Sequence, residues 1–254
     1  MYVVAIMESQ VGALDGAESL ARTLGEGISA LDVRMALSAT PPRVLLRTPS
    51  RERAESAART LVERGLAAIA VDLSTVLPVD RMVHVHRVAL DEAGLRADPG
   101  GPTLAYSDLG VIVRVAAETA IWRTTREKEL HSVRGRGVLV EVEHTRTERA
   151  FEQAAFLFAR GGGVPWVMRA GEARYLGLGE AMRRTTTENV LTVVEQLRER
   201  APRAAYDERF VADPLVRHAD THVRDNDHAP PELGDAGLEL RVQLLAWSLG
   251  CARP

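Results

Sequence analysis

Seven histidines supply side chains in this sequence that could bind a metal ion, and five of them fall into two groups. His84 and His86 lie two residues apart, so on a strand they would share one face and could chelate a metal. The second group interleaves histidine with aspartate near the C terminus: His218, Asp220, His222, Asp225, Asp227 and His228. A zinc site needs three or four convergent ligands on a rigid frame, and ordering a polar segment costs about 1–2 kcal/mol per residue. We therefore expect no metal site and no cofactor.

The sequence gives little evidence for a catalytic nucleophile. Cys251 is the single cysteine, which excludes an intramolecular disulfide and a cysteine-based zinc cluster, and we expect it to be a small buried residue on a helix. Serine, histidine and aspartate are all present, but the Gly-x-Ser-x-Gly turn of a nucleophile elbow is absent from the sequence. Glu141 and Glu143 share the outer face of a predicted strand, where carboxylates are normally solvated. No catalytic residue is predicted.

Two features raise the question of phosphate or polyanion binding. Residues 160–163 read Arg-Gly-Gly-Gly, but a strand follows them rather than a helix, and Lys128, the only lysine, lies well upstream. A hairpin turn is therefore predicted there instead of a nucleotide-binding loop. A cluster of basic residues, interleaved with Glu127 and Glu129, could form a polyanion patch, although such runs are usually solvated faces. The cluster consists of Arg123, Arg126, Lys128, Arg134 and Arg136.

Composition is that of an ordinary globular protein. The 254 residues are 46% hydrophobic and 26% charged, and a net charge of −3 argues against a broadly basic nucleic-acid binder. No stretch approaches the roughly 18–20 apolar residues of a membrane span, and the first residues lack a signal-peptide pattern. We expect a cytoplasmic protein without a membrane partner. Because Lys128 is the only lysine among 32 basic residues, the composition also indicates a high-GC bacterial genome.

The first 77 residues carry the clearest secondary-structure pattern. Apolar runs at residues 2–7, 43–48 and 66–71 predict three strands. Capping and stop signals predict three helices between them: Asp15 with Glu18 and Gly25, Ser29 with Asp32 and Pro41-Pro42, and Ser50 with Gly65. The order β-α-α-β-α-β predicts a compact α/β sandwich in which helices cover one face of the sheet.

Part of this module resembles a known kind of domain. The stretches concerned are Gly27-Ile-Ser-Ala-Leu-Asp-Val-Arg-Met-Ala-Leu-Ser-Ala-Thr-Pro-Pro-Arg-Val-Leu-Leu, Ser50-Arg-Glu-Arg-Ala-Glu and Leu61-Val-Glu-Arg-Gly65. They are similar to the C-terminal domain of the bacterial ribosomal stalk protein and, in element order, to the Clp protease adaptor. All share a helical hairpin, a strand that opens after proline, a serine-initiated helix and a glycine-terminated end. The resemblance covers residues 1–77 at most, and it implies this fold and a role in protein–protein binding.

Residues 78–211 predict a mainly antiparallel β domain. Alternating runs at 82–90, 104–114 and 138–147 predict strands, and Thr185 opens a capping box for a helix near 186–200. The strand–turn–strand order, with Tyr-Ser-Asp-Leu at 106–109, weakly resembles bacterial pleckstrin-homology-like modules. For residues 115–131 the sequence leaves strand and helix open.

The end of the sequence predicts a helix on a linker. Residues 212–236 are charged and proline-rich, which predicts a flexible linker, and residues 237–251 predict an amphipathic helix. Its apolar face consists of Leu238, Val242, Leu245, Trp247 and Leu249, and it is widened by Leu240 and Leu244. So broad a face must be buried, either on the same chain or in a partner. Docking on the same chain avoids the entropy of association and is favoured, while a swapped homodimer is the alternative.

These patterns predict an α+β protein with an α/β module, a strand-rich middle domain carrying a helix, and a C-terminal helix. They favour a non-catalytic bacterial binding or adaptor protein whose partner is another protein. Two alternatives stay open: an enzyme with an unrecognised active site, and a binder of nucleic acid or another polyanion through Arg123–Arg136. Convergent histidine and carboxylate side chains in a pocket would favour the first, and a continuous arginine surface would favour the second.

Overall fold

A computed structural model gives the fold of this protein. It describes residues 1–8, 16–25, 27–133, 136–212, 219–224 and 236–253, with backbone alone over 117–151, over 219–224 and at Ala236. Helices and sheets occur together in separate layers, so the predicted α+β class is confirmed. The helices lie on both sides of two main sheets rather than alternating with the strands of one parallel sheet.

The N-terminal module has the predicted order of elements. It consists of β1 (Tyr2–Ile6), α1 (Ala17–Leu24), α2 (Ala30–Ser38), β2 (Arg43–Thr48), α3 (Arg51–Glu63) and β3 (Ala68–Asp72). Strand β1 lies in the centre, antiparallel to β2 on one side and to β3 on the other. The apolar stripes of the three helices pack on one face of this sheet and form a core with Val4, Ile6 and Leu46.

Side-chain caps fix where two of these helices begin. Ser29 and Asp32 form a reciprocal capping box at α2, and the Ser50 hydroxyl accepts the Arg53 backbone N–H at 3.1 Å at α3. At α1 the N-cap is Gly16, without a side-chain hydrogen bond, and the predicted capping residue Asp15 lies outside the described residues.

The middle of the chain builds a larger sheet and a small one. The strands are β4 (Val83–His84), β5 (Ala89–Leu90), β6 (Gly94–Arg96), β7 (Thr103–Ala105), β8 (Leu109–Val133), β9 (Arg136–Ala159), β10 (Trp166–Arg169) and β11 (Ala205–Phe210). The large sheet has the order β11-β8-β9-β10-β4, and β5, β6 and β7 form the small one. The pairs β8–β9 and β9–β10 are antiparallel, whereas β11 and β4 join in parallel. The sheet is therefore mixed at its edges rather than antiparallel throughout.

Strands β8 and β9 form an unusually long ribbon. Residues 115–131, for which the sequence left strand and helix open, belong to β8 and pair with β9. At about 3.3 Å per residue, the 25 residues of β8 extend over roughly 80 Å. A compact chain of this length is only about 45 Å across. The ribbon therefore extends beyond a compact body.

Six residues of the predicted linker have regular structure. Strand β12 (Ala219–Arg224) pairs in parallel with residues 119–124 of β8. The prediction of a flexible linker over 212–236 is therefore wrong for these six residues, because the outer edge of β8 offers backbone partners that outweigh their polar composition. Residues 213–218 and 225–235 lie outside the described residues.

The last helix, α5 (Ala236–Ser248), is packed between the two main sheets. Leu240 and Leu244 contact the face of the N-terminal sheet that α1–α3 leave open. Leu238, Val242 and Leu245 contact the large sheet. The other face of the large sheet is covered by helix α4 (Thr186–Arg200) and by the small sheet. A helix between two sheets must be apolar on both sides, which explains the breadth of its apolar face.

Candidate protein-interaction groove

Strand β3 lies at an edge of the N-terminal sheet. The Leu73 N–H donates to the Met1 carbonyl at 2.9 Å, and the Met7 N–H donates to the Ala67 carbonyl at 2.7 Å. Because bonding groups alternate along an antiparallel strand, residues 67, 69, 71 and 73 face β1. The backbone groups that point to the outer edge belong to Ala68, Ala70 and Asp72. Among the described residues, no strand pairs with this edge.

A groove runs between this edge and helix α3. The chain turns at Gly65, which has φ +82°, so α3 lies alongside β3. The groove, called the β3 groove below, has a volume of about 580 Å³ and is open to solvent. Alanine at positions 68 and 70 leaves room between strand and helix. Its lining consists of Glu55, Ala58, Arg59, Val62, Glu63, Ala68, Ile69, Ala70 and Arg253.

The charges of the β3 groove are unevenly compensated. Arg51 donates to Glu55 at 2.7 Å, and this hydrogen bond, the charge of Arg51 and, to a smaller extent, the charge of Arg59 lower the pKa of Glu55. Arg59 and Arg253 are exposed, and within the part of the chain that the structure describes neither forms an ion pair. Exposed Glu63 likewise has no ion-pair partner there. Two guanidinium groups are therefore available to a ligand in this groove.

The C-terminal tail places Arg253 at the groove. The Ala252 N–H donates to the Arg160 carbonyl at 3.2 Å, so the tail is fastened to the turn between β9 and β10. A side chain at Gly162 would meet the Arg253 carbonyl oxygen at 3.1 Å, and Gly162 has φ +87°. The guanidinium of Arg253 lies 5.3 Å from the Trp247 ring centroid, a cation–π contact that orients it. The glycine run at 160–163 thus forms a turn that holds the tail.

A second cleft lies in the β domain, and three of its lining residues hydrogen-bond to one another. It has a volume of about 630 Å³ and is lined by Leu90, Asp91, Glu92, Tyr106 and Arg200. The Arg200 guanidinium donates to the Tyr106 hydroxyl at 2.8 Å, and that hydroxyl donates to the Asp91 carbonyl at 2.9 Å. These groups satisfy one another, so the cleft offers less to a ligand than the β3 groove.

His84 belongs to a partly buried network with Glu172, Arg169 and Glu152. One ring nitrogen lies 2.9 Å from the Val79 carbonyl and the other 3.4 Å from a Glu172 carboxylate oxygen. Arg169 donates to Glu172 at 2.6 Å and makes a two-pronged contact with Glu152, at 3.0 and 2.7 Å. Arg169 is 5% exposed, so its charge requires these carboxylates. The network ties β4, β9 and β10 together.

Of the other histidines, only His86 has a described side chain. His86 stacks on His84 with ring centroids 5.7 Å apart, and it is exposed. His222 lies in β12, whereas His218 and His228 lie outside the described residues. Among the residues described, no group of three or more histidine, cysteine, aspartate or glutamate side chains is arranged to hold a metal ion.

Four of the five residues of the predicted polyanion patch lie on the β8–β9 ribbon, whose backbone register is described. Arg126 is in register with Glu143, and Lys128 with Glu141. Alternation along the strand places these two basic positions on one face of the ribbon and Arg123 on the other, where Arg136 is in register with Val133. Arg134 lies outside the described residues. The polyanion patch therefore stays a prediction.

The predicted interaction helix is covered by the same chain. Leu238, Val242 and Leu245 are buried against the large sheet, and Trp247 is partly buried against the N-terminal one. Leu249 follows the helix and is 39% exposed. Cys251 is buried as predicted, and this burial raises the pKa of its thiol, but the residue follows the helix instead of lying on it. In this arrangement the helix joins the two sheets.

Comparisons with family models, with curated proteins and with solved structures found no match to this chain. Among the helices described, none has the length and apolar character needed to cross a membrane. The β3 groove itself was not predicted from the sequence. Its residues are small or charged, and neither type marks a strand edge unless the order of the strands is known.

Proposed function

We propose that this chain is a non-catalytic binding or adaptor protein that captures an extended segment of another protein on the outer edge of β3. The observation that carries the proposal is the β3 groove, where unpaired strand backbone and a solvent-open channel occur together. An extended segment can add to such an edge as a further strand, with main-chain hydrogen bonds for affinity and side-chain contacts for selectivity.

Residues of the groove can provide both the main-chain hydrogen bonds and the side-chain contacts of this binding mode. The outward backbone groups of Ala68 and Ala70 and the N–H of Asp72 supply the hydrogen-bonding pattern of an edge strand, whereas the Asp72 carbonyl accepts the Thr75 hydroxyl at 2.8 Å. Val62 on α3 is 55% exposed and gives the groove an apolar contact. The resemblance of residues 1–77 to the stalk-protein domain and the Clp adaptor supports a role in protein contacts. A bacterial cytoplasmic location completes the proposal, supported by the arginine bias of the composition.

Selection of peptides from a random display library tests the proposal without knowledge of the natural partner. The full-length chain is immobilised, peptides of about twelve residues are selected, and their contact surface is mapped by amide chemical shifts. We expect the shifts to concentrate at residues 58–70. Val62→Glu places a charge over the apolar part of the groove and should abolish capture of these peptides.

Met182→Glu is the matched control, because Met182 is 48% exposed and belongs to the β domain. This variant should capture the same peptides as the unmodified chain. Selected peptides that map to another surface, or that bind the Val62→Glu variant undiminished, contradict the proposed function.

A further inference from the structure

We infer that the segment captured in the β3 groove is acidic, and that Arg59 and Arg253 select it by contacting its carboxylates. This inference rests on the proposed function and specifies the partner for the same groove. It predicts which of two extended peptides of equal β propensity and opposite charge the protein binds.

The charge distribution on α3 carries the first step. Glu55, Arg59 and Glu63 follow one another at intervals of one helical turn, so the arginine stands between the two carboxylates. Glu55 is already engaged by Arg51 at 2.7 Å. Exposed Arg59 acts on Glu55 only through its charge and forms no ion pair among the described residues, so its guanidinium is the donor that the middle of the α3 wall offers to a carboxylate.

The second observation is the position of Arg253 in the C-terminal tail. Arg253 comes from the opposite end of the chain and lines the same groove. Its backbone is fixed by the Ala252–Arg160 hydrogen bond and its guanidinium by the Trp247 ring, so its position costs little further ordering when a ligand binds. Two guanidinium groups from separate elements therefore line one channel. A guanidinium matches the geometry of a carboxylate with paired N–H donors.

The period of a strand sets the spacing of the acidic residues. Successive side chains of an added strand point to opposite faces of the sheet, so one set reaches the α3 side with Arg59, and the alternate set reaches the α5 side, where Arg253 lies over Trp247. The matching probe is a peptide of about ten residues in which pairs of valine alternate with pairs of glutamate, so that glutamate reaches both sides. Its counterpart, with lysine in place of each glutamate, has the same period and the opposite charge.

Fluorescence anisotropy with these two labelled peptides and the full-length chain tests the inference. At about 50 mM salt we expect the glutamate peptide to bind roughly tenfold more tightly than the lysine peptide, since exposed ion pairs add modestly and are screened by salt. Arg59→Gln and Arg253→Gln should each weaken binding of the glutamate peptide by about threefold. Salt at about 0.5 M should remove most of the preference.

Arg47→Gln is the matched control, because Arg47 is an exposed arginine on β2, at the opposite edge of the same sheet. It should leave both affinities unchanged. Equal binding of the two peptides, tighter binding of the lysine peptide, binding of neither, or no effect of the Arg59 and Arg253 variants overturns the inference. If library-selected peptides still bind at β3 in that case, the proposed function stands and only the acidic preference falls. If none binds there, the proposed function falls as well.

Discussion

The two faces of the N-terminal sheet are covered by residues from very different parts of the chain. The face packed by α1, α2 and α3 is closed by residues between 2 and 70. The other face, with Val3, Ala5 and Val71, is closed by Leu240 and Leu244 of α5. The first face is therefore specified locally, and the second depends on a contact that spans most of the sequence.

The N-terminal module therefore does not complete its core with its own residues. Residues 1–77 contain every strand and helix of the α/β sandwich, but they leave one apolar face of its sheet without cover. Helix α5 covers this face and, at the same time, one face of the large sheet through Leu238, Val242 and Leu245. The structure thus makes α5 the shared core of two sheets, and a domain boundary near residue 77 does not separate two independent cores.

Removal of α5 is expected to have the largest effect. Truncation after Asp235 removes five buried branched side chains, each worth about 1.5–3 kcal/mol, which together rival the 5–15 kcal/mol stability of a whole domain. These side chains are Leu238, Leu240, Val242, Leu244 and Leu245. We expect loss of cooperative thermal unfolding by circular dichroism and strong binding of a hydrophobic dye. Truncation after Ala252 is the control and should melt nearly as the full chain does. A cooperative transition at an unchanged temperature in the shorter chain would show that α5 lies outside the core.

A substitution that leaves one cavity in either core of the N-terminal sheet is expected to lower stability less than the truncation does. Leu244 and Leu61 are both fully buried, on α5 and α3 respectively. Replacement of either by alanine should lower the free energy of unfolding by about 2–5 kcal/mol in urea titrations, since the cavity cost does not depend on sequence separation. Leu249→Ala, at an exposed position, should change it by less than about 0.5 kcal/mol. A Leu244→Ala variant as stable as the Leu249→Ala variant would contradict the shared core.

A polar contact of α5 gives a smaller, more specific test. The Leu77 N–H donates to the Gln243 side-chain oxygen at 3.0 Å, and the Gln243 amide donates to the Leu77 carbonyl at 2.7 Å. Gln243→Ala leaves both backbone groups without these partners, and we expect a loss of about 1–3 kcal/mol in unfolding free energy. Gln196→Ala, on α4, is the control and should cost less than about 0.5 kcal/mol. Equal effects of the two substitutions would mean that the bridge adds nothing specific.

The smallest effect is expected on the locally specified face. The Asp32 carboxylate accepts hydrogen bonds from the hydroxyl and N–H of Ser29, at 2.7 and 2.8 Å, which lower its pKa. The stabilisation is present above the ordinary aspartate pKa of about 4 and is lost as pH falls through the lowered value. Carboxyl carbon NMR should place the Asp32 midpoint below the ordinary value, and Ser29→Ala should move it upward. A midpoint unaffected by Ser29→Ala would contradict the capping box.

The local and long-range parts of the structure also differ in how well the sequence predicts them. Ser29, Ser50 and Gly65 act on residues within one helical turn, so they predict the starts of α2 and α3 and the end of α3. The apolar residues of α5 predict that the helix is buried but not that it lies between two sheets, because the residues that cover it are distant in the sequence. The β3 groove could not be predicted for the same reason. Ala68 and Ala70 are edge residues only because β1 occupies the centre of the sheet, and the order of strands is not a local property of the sequence.

The structure of the long β8–β9 ribbon also could not be predicted from local sequence. Residues 115–131 contain charged and apolar residues without a clear period, so the sequence alone did not decide between strand and helix. Pairing with β9 decides it, and β12 then finds a parallel partner in β8 where composition had predicted a linker. Backbone pairing over a long distance outweighs local propensity in both cases.

Hydrogen exchange along β3 tests the central claim, capture of an extended segment at this edge, most directly. In the free protein, the outward amides of Ala68, Ala70 and Asp72 should exchange faster than those of Ile69 and Val71, which bond to β1. Addition of a library-selected peptide at saturation should slow exchange at the three outward positions and leave the two inward ones unchanged. Unchanged exchange at Ala68 and Ala70 in the saturated complex would contradict strand addition at β3.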